Sequence, residues 1–249
     1  MKPALFVTLA GALMISSFAG AAEIKVISTQ ATEDAYKELV PLFEKATGHK
    51  VTTVYSGTLN VNKRLADGES YDMIIMSSDA VDAHLKSGKL AAGSRVDLAR
   101  SGVGAAVKAG AKKPNISTVD ALKKTLIDAK SIGYSTGPSG LYIVSLVEKL
   151  GLNDAVKPKL KQTPSGVFVG TLIASGDAEI GFQQVSELSH FPGVDYIGAI
   201  PNEVQKYTTF SSGIIADAKQ AEAAKALQKF LSAKDAAGAY KKRGMEPGV

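Results

Sequence analysis

The sequence predicts an α/β protein of two lobes, each a sheet with helices on both faces. Three observations predict it. Short apolar runs rich in β-branched residues alternate with longer segments whose apolar residues recur at helical spacing. These strand–loop–helix units fall into two clusters, divided near Val103. Four strand-to-helix loops are rich in Ser, Thr and Gly.

Residues 1–22 stand apart from that fold. Lys2 supplies a short positive start, residues 4–19 are almost wholly apolar, and Ala19-Gly20-Ala21-Ala22 offers small residues for cleavage. This predicts a signal peptide over residues 1–22 and export to the periplasm. The apolar run is shorter than the roughly 20 residues that a membrane-spanning helix needs.

A β-branched strand is predicted at residues 24–27. Tyr36, Leu39, Val40 and Phe43 then mark one helix face, which Gly48 closes. A second strand at 51–55 leads through Ser56-Gly57-Thr58 into a helix ending near Leu65. A third at 73–76 leads through Ser77-Ser78-Asp79 into a helix ending near Leu85, with Gly88 as the stop. The pattern resumes with a strand at 103–107. Ser117-Thr118-Val119-Asp120 resembles a capping box for a helix carrying Val119, Leu122 and Leu126. A strand at 131–134, a turn at 135–140 and a helix burying Ile143, Leu146, Val147 and Leu150 follow. After Pro164-Ser165-Gly166 comes a helix to Ala174, then strands at 179–182 and 195–200. A long strand at 208–215 runs back, and Ala223, Leu227, Phe230 and Leu231 mark the last helix. The expected division is residues 23–102 plus 213–249 as lobe 1 and 103–212 as lobe 2, with parallel-type sheets and two crossings between them.

Composition narrows the chemistry. Apolar residues make up 45% and charged residues 21% of the 249, ordinary usage for a globular chain. Cysteine is absent, which excludes disulfides, thiolate metal sites, thiol nucleophiles and a lipidated cysteine. His49, His84 and His190 are far apart, so no histidine metal site is expected, and no cofactor either. The net charge of +5, one unit of it from Lys2, is spread among interleaved acids and bases. No basic tract with aromatics suggests nucleic acid. A mild positive bias suits a small anion.

The four loops are Ser28-Thr29, Ser56-Gly57-Thr58, Ser77-Ser78 and Ser135-Thr136-Gly137-Pro138-Ser139-Gly140. In open α/β sheets ligands bind beyond the carboxyl ends of the strands. Helix N-termini there offer free N–H groups and partial positive charge, and hydroxyls add neutral donors. Each Ser or Thr alone reads equally as a helix cap. Together they predict an anion cleft between the lobes. The glycine-rich loop at 135–140 lacks the spacing of a nucleotide-binding loop.

Val26-Ile27-Ser28-Thr29, Ser56-Gly57-Thr58-Leu59 with Lys63-Arg64-Leu65, Tyr71-Asp72-Met73-Ile74-Ile75-Met76-Ser77-Ser78, the 135–140 loop and Gly181-Phe182-Gln183-Gln184 together resemble periplasmic solute-binding proteins of the molybdate-binding family. The likeness spans essentially all of the chain after residue 22. It implies a type II periplasmic-binding-protein fold, in which two lobes on two hinge strands close over an anion. Molybdate-binding members use hydroxyls of the first two loops, backbone N–H groups of later loops and a tyrosine after the late strand. Ser28 and Ser56 match the hydroxyls, Val167 lies near a backbone contact, and Gln184 stands at the tyrosine position. Gln183 and Gln184 suit a larger, multi-oxygen organic anion. The strings STQA, YSTGPSG, KQTPSGVFVG and IASGDAEIGFQQVSEL resemble a subgroup that includes an aconitate isomerase.

Two functions follow from the resemblance. One is isomerisation of trans- and cis-aconitate by allylic proton transfer. The other is a receptor that delivers an oxyanion or organic carboxylate to an ABC permease. Either implies a monomer with a small-molecule anion. For the first, Ser28, Thr29, Ser56, Thr58, Ser77, Ser135, Thr136 and Ser139 are expected to supply donors, with Val167, Gln183 and Gln184. Arg64 and Arg95 are the candidate cations. Tyr142 and Glu187 are the candidate bases. Core packing competes for Tyr142, and a solvated helix position competes for Glu187.

Overall fold

The computed structural model describes residues 20–248. The leader expected at 1–22 therefore lies outside the described residues, apart from its last three. Among the described residues no helix is long and apolar enough to cross a membrane.

The first lobe is built from β1 (Glu23–Thr29), α1 (Glu33–Thr47), β2 (Lys50–Ser56), α2 (Thr58–Ala66), β3 (Met73–Ser77), α3 (Ser78–Lys86) and β4 (Val96–Ser101). The chain crosses through Gly102 into β5 (Val103–Lys108), α4 (Val119–Asp128), β6 (Ile132–Tyr134), α5 (Pro138–Lys149), α6 (Asn153–Val156), β7 (Leu160–Gln162), α7 (Val169–Ser175), β8 (Ile180–Gln184), α8 (Val185–Leu188) and β9 (Val194–Ala199). It crosses back into β10 (Thr208–Ile214), α9 (Ala221–Leu231), α10 (Ala237–Lys242) and β11 (Glu246–Pro247).

The first sheet runs β11-β4-β10-β3-β1-β2 and the second β7-β6-β8-β5-β9. Both are mixed. β1 is parallel to β2 and β3, and β6 is parallel to β7 and β8. The strands at the crossings run the other way: β10 is antiparallel to β3 and β4, and β5 to β8 and β9. All of β10 belongs to the first sheet, because Thr208 pairs with Ser101 and Phe210 with Ser77. Residues 208–212, assigned from sequence to the second lobe, are thus corrected to the first. The strand hydrogen-bonds there along its whole length, so the return crossing lies at 200–207.

Each sheet is covered on both faces, which explains why β3 is buried at all five positions and reads as a continuous apolar run. On one side of the first sheet Tyr36, Leu39 and Phe43 of α1 pack with Leu227 and Leu231 of α9 and Tyr240 of α10. On the other, Val61 of α2 and Val81 of α3 meet Ile27, Ile74 and Met76. Leu122, Leu126, Ile143, Leu146 and Val147 cover one side of the second sheet, and Val169, Ile173 and Leu188 the other. Gly48 ends α1 at φ 75°, its N–H returning to Glu44 O at 2.8 Å. Thr118 caps α4 by accepting from the Ala121 N–H at 3.2 Å. β4 has no counterpart in the sequence reading, because Asp97 and Arg100 interrupt its apolar run.

Two glutamines stitch the crossings together. Gln205 accepts from the Val103 N–H at 2.7 Å and donates to Val103 O at 3.0 Å and Ile200 O at 3.3 Å. Gln184 donates to Ser101 O at 2.9 Å and Gly102 O at 3.3 Å, while its oxygen accepts from Thr208 Oγ1 at 3.0 Å.

Candidate functional site

The loops at the carboxyl ends of β1, β2, β6 and β8 face one another across the crossings. They line a narrow cleft of about 40 Å³, small beside typical ligand sites because the two sets of loops meet across it. The first lobe contributes Thr29, Gln30, Ala31, Ser56, Gly57, Thr58 and Phe210. The second contributes residues 135–139, Gly166, Val167, Gln183, Gln184 and Glu187.

Helix α2 starts at Thr58 and α5 at Pro138, so both open onto the cleft. First-turn N–H groups have no partner inside their own helix and carry partial positive charge. Two such ends in opposite lobes, with hydroxyls beside them, make a neutral cradle for an anion. The 135–140 loop is held tightly: Ser135 Oγ accepts from the Gly137 N–H at 3.3 Å. A β-carbon at Gly140 would fall 1.8 Å from Ser135 O, so only glycine lets the first turn of α5 fold back onto the strand end. The lobes are closed over the space. Gln30 Nε2 donates across to Gly166 O at 3.1 Å, and Asn60 Nδ2 to Ser165 O at 3.2 Å.

Of the residues singled out from sequence, the fold brings together Thr29, Ser56, Thr58, Ser135, Thr136, Ser139, Val167, Gln183, Gln184 and Glu187. The others lie elsewhere, for physical reasons. Ser28 is wholly buried and its hydroxyl donates to Thr29 O at 2.8 Å, because alternation along β1 turns its side chain away from the cleft. Ser77 ends β3 but does not line the cleft. Arg64 is spent on the surface: its Nε lies 2.8 and 2.9 Å from the two Glu69 oxygens, and its guanidinium lies against the Tyr71 ring. Arg95 is clamped between Asp82 and Asp97. Tyr142 donates to Val204 O at 2.6 Å and so ties α5 to the return crossing. It is corrected from candidate base to a packing and anchoring side chain.

Two residues reach the cleft but are committed in part. The Val167 N–H, expected to meet the ligand, donates to Pro164 O at 3.1 Å. The Gln184 amide is used at the crossings. Gln183 accepts from the buried Val169 N–H at 2.7 Å, fixing the start of α7. Gln30, Gly166 and Phe210 line the cleft without having been singled out. Gln30 immediately follows Ser28-Thr29 and was the legible one of the three.

Electrostatics single out Glu187. It is the one ionisable side chain lining the cleft, where neither Lys nor Arg is found among the described residues. Protein atoms crowd its carboxyl although part of the residue still faces open space. Burial pushes the carboxyl up to about 8; the Gln184 backbone and the Gln183 amide pull back against this, and the charge of Glu33 adds to it. Among the described residues no group of three or more His, Asp and Glu is placed to hold a metal ion.

Comparison with known proteins agrees with this architecture. The sequence profile of bacterial extracellular solute-binding proteins matches residues 24–246. An aconitate isomerase from a Pseudomonas species is 37% identical over 230 residues, 90% of this chain and 87% of that protein. The molybdate-binding protein ModA of Azotobacter vinelandii is 33% identical over 181 residues, 72% of this chain and 71% of that one. The solved Azotobacter vinelandii periplasmic molybdate-binding protein superposes with a TM-score of 0.76 at 18% identity, covering 91% of this chain and all of that one.

Proposed function

The chain belongs to the family of bacterial extracellular solute-binding proteins, and on that footing we propose that it is an aconitate isomerase acting in the periplasm after removal of residues 1–22. The observation that carries this reading is Glu187, a carboxyl raised to about 8 inside a cleft otherwise built of neutral anion donors. In its protonated form such a carboxyl donates to an anion, and in its ionised form it repels one and can act as a base. An enzyme that must move a proton beside carboxylates gains a group able to hold and release one near neutral pH.

In the proposed reaction Glu187 removes a proton from the methylene carbon of bound trans-aconitate. The C–H pair delocalises over the three-carbon allylic system. A proton returns to the far carbon, the double bond moves by one position, and nothing is oxidised or reduced. Helix N-termini of α2 and α5, with Ser56, Thr58, Thr136 and Ser139, hold the carboxylates and the developing charge. Gln183 orients the base. The 37% identity with an aconitate isomerase supports the substrate.

A second reading, an anion receptor for an ABC permease, is favoured because no Lys or Arg among the described residues lines the cleft, and neutral donors suffice for a small oxyanion. One experiment separates the two. Trans-aconitate in large excess is followed by proton NMR with purified protein lacking residues 1–22. Conversion to cis-aconitate far beyond the protein concentration is expected. Saturable binding of trans-aconitate or molybdate without conversion would replace the isomerase reading with the receptor.

A further inference from the structure

Glu187 borders two cavities. Besides the anion cleft it lines a second cavity of about 200 Å³, which it shares with Gln30, Phe168, Ser186 and the outer residues Glu33, Asp34 and His190. We infer that this second cavity is a hydrated proton port, through which the Glu187 carboxyl trades its proton with solvent while the anion cleft stays closed. The inference rests on the proposed role of Glu187 as the base.

Four observations carry it. Ser186 is buried and its hydroxyl has no hydrogen-bond partner in the protein, although it lines this cavity. Buried hydroxyls are rarely left unpaired, and a polar space of this size accommodates water. Glu33 and Asp34 give the cavity negative charge, which admits water and repels a second anion. Lys37 pairs with Glu33, and Arg243 lies 3.8 Å from Asp34, both from outside the cavity lining. His190, exposed at the rim, shares a hydrogen bond with Ser189 Oγ at 2.8 Å. Finally, Gln30 and Asn60 hold the lobes closed over the anion cleft, so a proton on Glu187 has its way out on the other side.

The step balances simply. The carboxylate oxygen takes hydrogen from the methylene carbon as that C–H bond breaks. In the port this hydrogen passes to water, and another hydrogen from water takes its place. The new O–H bond then breaks as the far carbon gains its C–H bond. The hydrogen delivered to product is therefore solvent-derived.

The test is turnover of trans-aconitate in D2O, with the product read by mass spectrometry. Wild-type protein is expected to place deuterium in the product at nearly every turnover. Ser186→Leu, which fills the cavity, and His190→Trp, which covers its exposed mouth without disturbing the core, are expected to return the substrate's own hydrogen and lose most of the label. Unlabelled product from wild type overturns the port, as does full labelling in both variants. Absence of turnover in wild type would instead defeat the isomerase reading. The port is then decided by 13C NMR titration of the Glu187 carboxyl: drying the cavity with either variant should raise its midpoint, and an unmoved midpoint in both overturns the inference.

Discussion

Gly57 of the first lobe lies so close to Gly166 of the second that a β-carbon on Gly57 would stand 2.4 Å from the Gly166 nitrogen and 2.3 Å from Ser165 Oγ. Gly166 meets it at φ +85°, a backbone conformation that favours glycine. The seal of the closed cleft is thus backbone against backbone. Gly57→Ala should leave each lobe folded but hold the lobes apart. The expected result is a loss of ligand affinity of about tenfold or more, since about 1.4 kcal/mol of closure energy is worth a factor of ten. Calorimetry with trans-aconitate, together with scattering profiles that no longer contract on ligand addition, checks this.

Replacing the buried carboxyl separates binding from chemistry. Glu187→Gln keeps the shape and removes the proton carrier. Turnover should fall by about 10²–10⁴-fold, while trans-aconitate binding near neutral pH is largely retained, because the amide replaces a carboxyl that burial already disfavours in its charged form. Single-turnover kinetics beside calorimetry measures both; equal losses in rate and affinity would make Glu187 a binding residue only.

The raised carboxyl also sets a pH dependence. The base form is the ionised one, so the rate should climb with pH and level off above about 8. Stability runs the opposite way. The fold prefers the protonated carboxyl, so its contribution is complete below the ordinary carboxylate range. It is lost progressively as pH rises from that range through about 8, because there the unfolded chain releases a proton that the folded chain keeps. Denaturant unfolding at pH 5 and pH 9 should show a decline on the order of a few kcal/mol that Glu187→Gln largely removes.

Arg64, whose position beside a cleft loop suggests a cation for the ligand, is engaged with Glu69 at the surface. Arg64→Ala should change ligand affinity and turnover by less than about twofold, well under the loss that follows removal of a charge-assisted bond to a ligand. Parallel calorimetry and rate measurements decide it.

Gln184 holds the two crossings together rather than reaching only for the ligand. Gln184→Leu removes a donor from the Ser101 and Gly102 carbonyls and the acceptor of the Thr208 hydroxyl, while Gly102 O keeps the Val185 N–H. Unfolding free energy should drop by about 1–3 kcal/mol, measurable by urea titration without ligand.

By itself the sequence determined the two-lobe α/β architecture, most element positions and the converging hydroxyl loops, since these rest on local periodicity and turn chemistry. Thr29, Ser56, Thr58 and Ser135 could be placed near one another because strand-to-helix loops share one edge of a parallel sheet. Tertiary structure alone decided which side chains face the cleft. Ser28 and Thr29 are adjacent yet alternate along β1: both hydroxyls are buried against carbonyls, of Thr29 and of Ile75, and of the two residues Thr29 alone borders the cleft. It also decided that Arg64 and Tyr142 are occupied by Glu69 and Val204, partners set by packing rather than by spacing along the chain. Glu187 illustrates the difference most fully: on a short helix it reads as an ordinary surface acid. Only its packing beside Gln183, between two cavities, holds its carboxyl above the ordinary carboxylate range.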